Sequence, residues 1–455
     1  MIRSMYSGVS GLKTMQIKMD VIGNNIANVN TAGFKKSRVS FKDSLYQVMQ
    51  GASAPSDDRG GTNAMAIGLG MGLGSVDQIH TPAPAATTNK ETDMAIDGNG
   101  YFIIKNNKGE TLYTRAGSFS FDKLGNLVTA EGYSVQGWVA DEDNQISTSS
   151  ANIQDINIGN FRMTAPRSTT EVIFSGNLDS TLDEHDVAND PFDIDTDVPD
   201  SDNAVITSKE VYDSLGNGAT VYFRFFKVVD DATASAPDVQ WYCDISLDPD
   251  FPADTSGNFD VGGTSPTGST TVRIGDIRFT SEGDIDTSTG NTTSIDLSID
   301  RTAFGADPID LSIDLSQISQ FNSPSTAWAE HQDGCSAGVL TSFNIGSDGV
   351  IRGVYDNGEL RDLARVALAD FQNPAGLAQV GSNMFQLSKN SGDAQIGAPS
   401  EDRMGAILPG SLEMSNVDLS EEFTEMIITQ RGFMASARII TTSDEMLSEL
   451  VNLKR

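Results

Sequence analysis

The sequence predicts an α+β fold in which N- and C-terminal coiled-coil helices enclose nested, mainly β middle domains. Three observations carry this prediction. Apolar residues step by four and three at both ends of the chain, the pattern of a coiled-coil stripe. Short alternating runs separated by Gly, Asn and Asp turn signals fill the stretches next to those ends. The middle is a block of Ser, Thr, Asp and Gly with isolated strand candidates.

At the C-terminal end the stripe runs Leu419, Phe423, Met426, Phe433, Ala437, Ile440, Leu447 and Val451, broken only by Gln430 and Asp444. At the N-terminal end it runs Ile2, Met5, Val9, Leu12, Met19 and Ile26, with Gln16 and Gly23 in step. Arg3, Lys13 and Lys18 face only Asp20 in the first helix, whereas residues 418–455 carry seven acids against four bases, so charge favours pairing of the two ends. A helix over residues 2 to 28 would be ~40 Å long and one from Asp418 to Leu453 ~54 Å, enough for the two to pair over most of the shorter one. Asp418, with Glu421 three residues on, has the polarity of a capping box. Gly8, Gly11 and Gly23 each cost ~1 kcal/mol relative to alanine inside a helix. The expectation is that both ends become ordered only when neighbouring copies complete their packing.

Asn28 to Lys35 reads as a helix stop followed by a change of direction. Glycine-rich residues 51–75 carry almost no helical period, which leaves an ordered or a flexible connector open. Residues 76–150 and 331–417 share the β texture, with Asp97-Gly98-Asn99-Gly100, Ser347-Asp348-Gly349 and Asp356-Asn357-Gly358 as turns. The organisation is therefore nested: terminal helical domain 1–30 with 418–455, connector 31–75, discontinuous β-rich inner domain 76–150 with 331–417, and inserted acidic outer domain 151–330. The insertion is long enough for one sandwich or two small domains. It holds 8 Lys and Arg against 32 Asp and Glu, a net of -24 out of the chain's -33.

Such charge excludes nucleic acid and an anionic membrane surface as partners. No apolar run reaches the ~18 residues of a membrane span, and the first residues lack the apolar core of a secretory signal. Two cysteines, Cys243 and Cys335, read as unpaired small hydrophobes ahead of a bridge. Asp193, Asp195 and Asp197 alternate like calcium ligands, but Val198 and Pro199 refuse an EF-hand, so a solvated acidic loop is the reading and a loose calcium site the alternative. His80, His185 and His331 have no metal spacing. Glu91, Asp93 and Asp97 sit around a turn, and the run Gly68 to Gly72 lacks the context of a phosphate loop. No catalytic constellation, metal site or cofactor motif emerges. The protein reads as a non-enzymatic, self-assembling structural subunit, with an acidic calcium-binding surface adhesin as the alternative from another class.

Several blocks carry a resemblance. Tyr6 to Leu12, Met19 to Asn28 (with Asn24 and Asn25) and Val29 to Lys35 (with Asn30, Thr31, Gly33 and Phe34) resemble the N-terminal signature of the bacterial flagellar rod, hook and hook-associated axial proteins. Leu412 to Asp418 (with Asn416) and Gln430-Arg431-Gly432-Phe433 resemble the C-terminal one. Tyr355-Asp356-Asn357-Gly358, Phe371 to Leu377 and Val211 to Asn217 are similar to hook subunits, which favours the hook over a distal rod or other axial subunit. The resemblance implies a helical homopolymer forming the flexible joint that passes motor torque from rod to filament. It implies partners among the rod, hook-cap and hook–filament junction proteins, an extracellular place in the hook and basal body, and type III export without a cleaved signal peptide. The terminal coiled coil would line the inner tube and the insertion would lie outside. Acidity there fits sliding contacts that break and re-form, or a saline habitat.

Overall fold

In the computed structural model, the described residues are 2–452 apart from 53, 55–59, 142–144, 150–151, 183–184, 187–203, 231–237, 250, 252–258, 262–270, 288–290, 302–303 and 402. Two compact units emerge, residues 1–160 with 343–353 and 361–455, and residues 161–342 with 354–360. The fold is α+β: a long helix near each end and strands through the middle.

In the first unit, helix α1 spans Ile2–Ala27 and helix α2 spans Leu419–Asn452. Asp418 caps α2, its Oδ1 accepting from the amides of Ser420 at 2.8 Å and Glu421 at 3.3 Å. The Glu421 carboxylate pairs with Lys36 Nζ at 2.7 Å, so the cap works from one side. Between the helices come strands β1 (Ser37–Asp43), β2 (Tyr46–Gln50), β3 (Met65–Gly68) and β4 (Met71–Gln78). β1 pairs antiparallel with β4, and β2 with β3. The later part of the glycine-rich run thus lies in strands, Met65–Gly68 and Met71–Gln78. One glycine of the run is required by contact with α1: Gly70 adopts φ +119°, and a Cβ there would lie 2.2 Å from Ser10 Oγ.

The β body of this unit is one antiparallel sheet made from both ends of the sequence. Strands Leu360–Val366, Ser134–Val139, Tyr101–Lys105, Thr111–Thr114, Met384–Gln386 and Ala378–Gly381 lie side by side in that order. Tyr101, Ile103, Tyr113, Trp138, Phe371 and Phe385 form its core, with Tyr113 edge-on to Phe371 at 4.8 Å. Two short pairings bring the C-terminal segment onto the N-terminal one: Met94–Asp97 with Ala406–Pro409, and Ala85–Thr87 with Ser411–Glu413.

The second unit has two five-stranded sheets. One is ordered Phe259–Val261, Ser294–Ile299, Ile309–Phe321, Glu171–Asp179, Trp328–Gln332. The other is built on the antiparallel pair Gly218–Asp230 and Asp238–Ser246. A cluster of buried residues draws on both, with Phe174 edge-on to Phe223 at 4.8 Å and Val221, Phe225, Trp241, Leu311 and Ile313 around them. Burial of such alternating apolar faces is what holds a sandwich together. Cys243 is buried and Cys335 half-buried, and both are free thiols. Asp193, Asp195 and Asp197 lie outside the described residues.

Candidate assembly interface and its buried tether

α1 and α2 pack along each other, but the seam between them is not the apolar stripe. On α1 the buried positions are Gly8, Gly11, Thr14, Ile22 and Asn25, a three-four series offset by one residue from the apolar one. On α2 they are Glu422, Thr429 and Ser443. Many of the contacts across the seam are small or polar. The hydroxyls of Ser4 and Ser443 lie 3.3 Å apart, Lys18 pairs with Glu425, and Asn25 Nδ2 donates to Glu422 Oε2 at 3.2 Å. Gly8 and Gly11 allow the backbones to approach: a Cβ on Gly8 would stand 3.1 Å from Ile440 Cγ1 and 3.3 Å from the Ser436 carbonyl oxygen, and one on Gly11 3.0 Å from Ser436 Oγ. These glycines, which weaken an isolated helix, are what the close pair requires. Gly23 has no such neighbour within 4 Å.

The expected stripe therefore divides. Met5, Leu12, Met19 and Ile26 on α1, and Met426, Phe433, Ala437, Ile440 and Leu447 on α2, flank the seam half-buried. Val9 on α1 and Leu419, Phe423 and Val451 on α2 turn outward, with Phe423 50% and Val451 68% exposed. Gln430 and Asp444 are exposed as well. Ile2 opens α1, and its side chain is not among those described. Tyr6, Ile17, Ile427, Ile428, Met434, Ile439 and Met446 add to the exposed apolar surface outside the expected stripe.

The signature residues are mostly structural fasteners. Asn25 is buried and brackets Ser37, accepting from its amide at 3.0 Å and donating to its carbonyl at 2.9 Å. Asn28 Nδ2 donates to the Asn24 carbonyl at 2.9 Å, and its Oδ1 accepts from Thr31 Oγ1 at 3.1 Å, shaping the helix stop. Gly33 holds φ +70° with the Ala116 amide nitrogen 2.6 Å from where a Cβ would be, and Phe34 is buried beside it. Asn416 accepts from the Lys36 amide at 2.7 Å and donates to the Ile79 carbonyl at 2.8 Å. Gly432 faces Met15 across the seam, while Asn30, Gln430 and Arg431 are exposed.

Below the helices lies a charged cluster that sequence reasoning missed. Glu413, almost wholly buried, accepts from Lys35 Nζ at 2.6 Å, Arg115 Nη1 at 3.3 Å and the Ala83 amide at 3.0 Å. Lys35 Nζ also donates to the Thr81 carbonyl at 2.8 Å, and Arg115 Nη2 to the Gly98 carbonyl at 2.8 Å. One carboxylate thus joins the exit of α1, the β body and the approach to α2. Burial, opposed by Glu413 and reinforced by Arg115, holds the Lys35 ammonium below its ordinary range. Tyr101 is pushed up to about 12, chiefly by burial, and the neighbouring His80 down to about 4 by burial and by the charges of Lys35 and Arg115. The one local signal was the placing of Lys35 and Glu413 inside the signature blocks. Among the described residues, no group of three or more His, Cys, Asp and Glu side chains could hold a metal ion, and no helix is long and apolar enough to cross a membrane.

Paired terminal helices fastened to a β body, with a second β unit inserted between the halves, define a subunit of the flagellar rod and hook class. Family models match along the chain: flagella basal body rod protein over 5–35, flagellar hook protein FlgE/F/G D1 domain over 95–172, flagellar basal body protein FlaE D2 domain over 177–335, and flagellar basal body rod FlgEFG protein C-terminal over 408–453. The chain is 39% identical to the flagellar hook protein FlgE of Borreliella burgdorferi and 38% identical to that of Treponema pallidum, over 100% of each chain in both cases. It is 31% identical to the flagellar basal-body rod protein FlgG of Bacillus subtilis, again over 100% of both. The chain belongs to the flagellar hook protein family. Its role is structural rather than enzymatic, as a hook subunit that polymerises with copies of itself in the flagellar axis.

Proposed function

We propose that the outward apolar faces of α1 and α2 are the surfaces on which copies of this hook subunit assemble, the terminal domain 1–30 with 418–455 lining the inner tube. The observation that carries this reading is the division of the stripe: Phe423 and Val451, with Ile427, Ile428 and Met434 beside it, are each half exposed or more on α2. Water-exposed apolar surface of this extent marks an interface. The discontinuous inner domain 76–150 with 331–417 and the acidic insertion 151–330 surround that tube in turn. The insertion's charge fits contacts that slide, since exposed ion pairs contribute only ~0 to 1 kcal/mol each. In this reading rod, hook-cap and hook–filament junction proteins contact the ends of the polymer. Subunits reach this extracellular place through the type III export channel, without a cleaved signal peptide.

Electron microscopy of the full-length protein at high concentration tests the reading. Wild type should form curved tubes, and straight short ones would favour a distal rod subunit. A Phe423→Ser, Ile428→Ser variant with unchanged helix content should stay monomeric. If it polymerises like wild type, the outward faces are not the assembly surface.

A further inference from the structure

The buried tether contains a residue that none of its ion pairs needs. His80 follows β4 in the segment that supplies Thr81 and Ala83 to Lys35 and Glu413. Its ring is packed edge-on to Phe385 at 5.4 Å and to Tyr101 at 6.1 Å. Nδ1 lies 2.8 Å from Tyr101 Oη, and Nε2 is buried with no hydrogen-bond partner. With the phenol donating to Nδ1, the neutral ring keeps its own hydrogen on Nε2.

We propose that His80 is the proton-sensitive member of a latch that holds both terminal segments on the β body, and that acid releases it. The groups that face it decide the sign. Lys35 and Arg115 are cations, and Arg115 also lies over the Tyr101 ring, 5.1 Å from its centroid. Glu413 is the carboxylate shared by both cations, Asp370 is a buried acid acting on Tyr101, and Phe385 offers only its ring. An imidazolium would be a third buried cation beside one shared carboxylate. It would also put a hydrogen on Nδ1, so Tyr101 Oη would have to turn from donor to acceptor. Both changes weaken the same junction.

His80 in the unfolded chain takes up its proton near 6.5, and in the folded chain near 4. Between those values the opened state binds more protons than the closed one, so closure weakens as pH falls and the loss is complete below about 4. The interval of 2.5 corresponds to a roughly 300-fold change in the opening equilibrium.

The test uses the full-length protein and His80→Gln, whose side chain keeps an acceptor for Tyr101 but takes no proton. Hydrogen exchange at residues 33–36 and 411–416, corrected for intrinsic rates, reads opening of the latch from pH 7 to 4. Wild type should open far more than the variant, by about a hundredfold between pH 7 and 4, while exchange in the second unit stays the same in both. Identical pH courses overturn the proposal. Titration of the His80 imidazole by NMR in wild type provides a second measurement that does not depend on the variant folding. A midpoint near 4 is expected, and one near 6.5 overturns the proposal.

Discussion

Replacing Gly8 by alanine separates two opposed effects that the structure assigns to one atom. Alanine in place of glycine inside a helix stabilises by ~1 kcal/mol. At Gly8 the added Cβ would meet Ile440 Cγ1 at 3.1 Å and the Ser436 carbonyl oxygen at 3.3 Å. The second neighbour is main chain, so relief requires α1 and α2 to part. Overpacking of this kind costs ~1–3 kcal/mol, which leaves a net loss of ~0–2 kcal/mol. Gly23→Ala is the internal control: nothing lies within 4 Å, so the helix gain of ~1 kcal/mol stands alone. The two variants should therefore differ by ~1–3 kcal/mol in the local stability of α1, read as amide hydrogen exchange in the full-length protein. If Gly8→Ala protects α1 as much as Gly23→Ala does, close approach at Gly8 is not what orders the seam.

Asp418→Ala should remove the N-cap of α2 at a cost of ~1 kcal/mol, seen as faster exchange in the first turn of α2. Glu413→Gln preserves shape but leaves Lys35 and Arg115 buried without their carboxylate; a loss of ~3–5 kcal/mol is expected, as a lower melting transition of the first unit with that of the second unchanged. Gln430→Leu with Asp444→Leu extends an exposed apolar face, so it should leave the stability of the lone subunit within ~0.5 kcal/mol while lowering the concentration at which copies associate, measured by sedimentation.

The α+β architecture and the pairing of the two ends were legible because hydrophobic period and charge sign act over many residues at once. The seam's position was not. An apolar stripe has the same spacing whether it meets the other helix of its own chain or a second copy, and the surface that α1 and α2 share is written in Ser4, Gly8, Gly11, Thr14, Ser436 and Ser443, which carry no hydropathy signal. Gly8 and Gly11, weighed as helix defects, proved to be contact points because their cost is intrinsic while their benefit depends on Ser436, more than 400 residues away. The tether was hidden for the same reason: Lys35 and Glu413 are 378 residues apart, and Arg115 and Glu413 are 298 apart. Turn residues, by contrast, act locally, so the stop from Asn28 to Gly33 and the cap at Asp418 could be read directly.

The division of the stripe also separates the contact α1 and α2 make within one chain from the one proposed between copies. The polar contacts of the seam within one chain include a hydroxyl pair and the part-exposed Lys18–Glu425 ion pair, worth ~0–1.5 kcal/mol each, and the buried Asn25–Glu422 hydrogen bond to a carboxylate, worth ~1.5–3 kcal/mol. Full burial of a large apolar side chain contributes ~1.5–3 kcal/mol, so covering Phe423, Ile427, Ile428 and Met434, each about half exposed, would add stabilisation of the same order as those polar contacts. If other copies cover these faces as proposed, that contact adds to the stability the seam provides within one chain. Order in α1 and α2 should then rise with assembly. Amide protection of both helices in dilute protein should be weak relative to the β body of the same unit, and should strengthen as subunits polymerise. Equal protection of the helices before and after polymerisation would mean that the polar seam and its glycine contacts suffice, and that the exposed apolar faces add affinity without adding order.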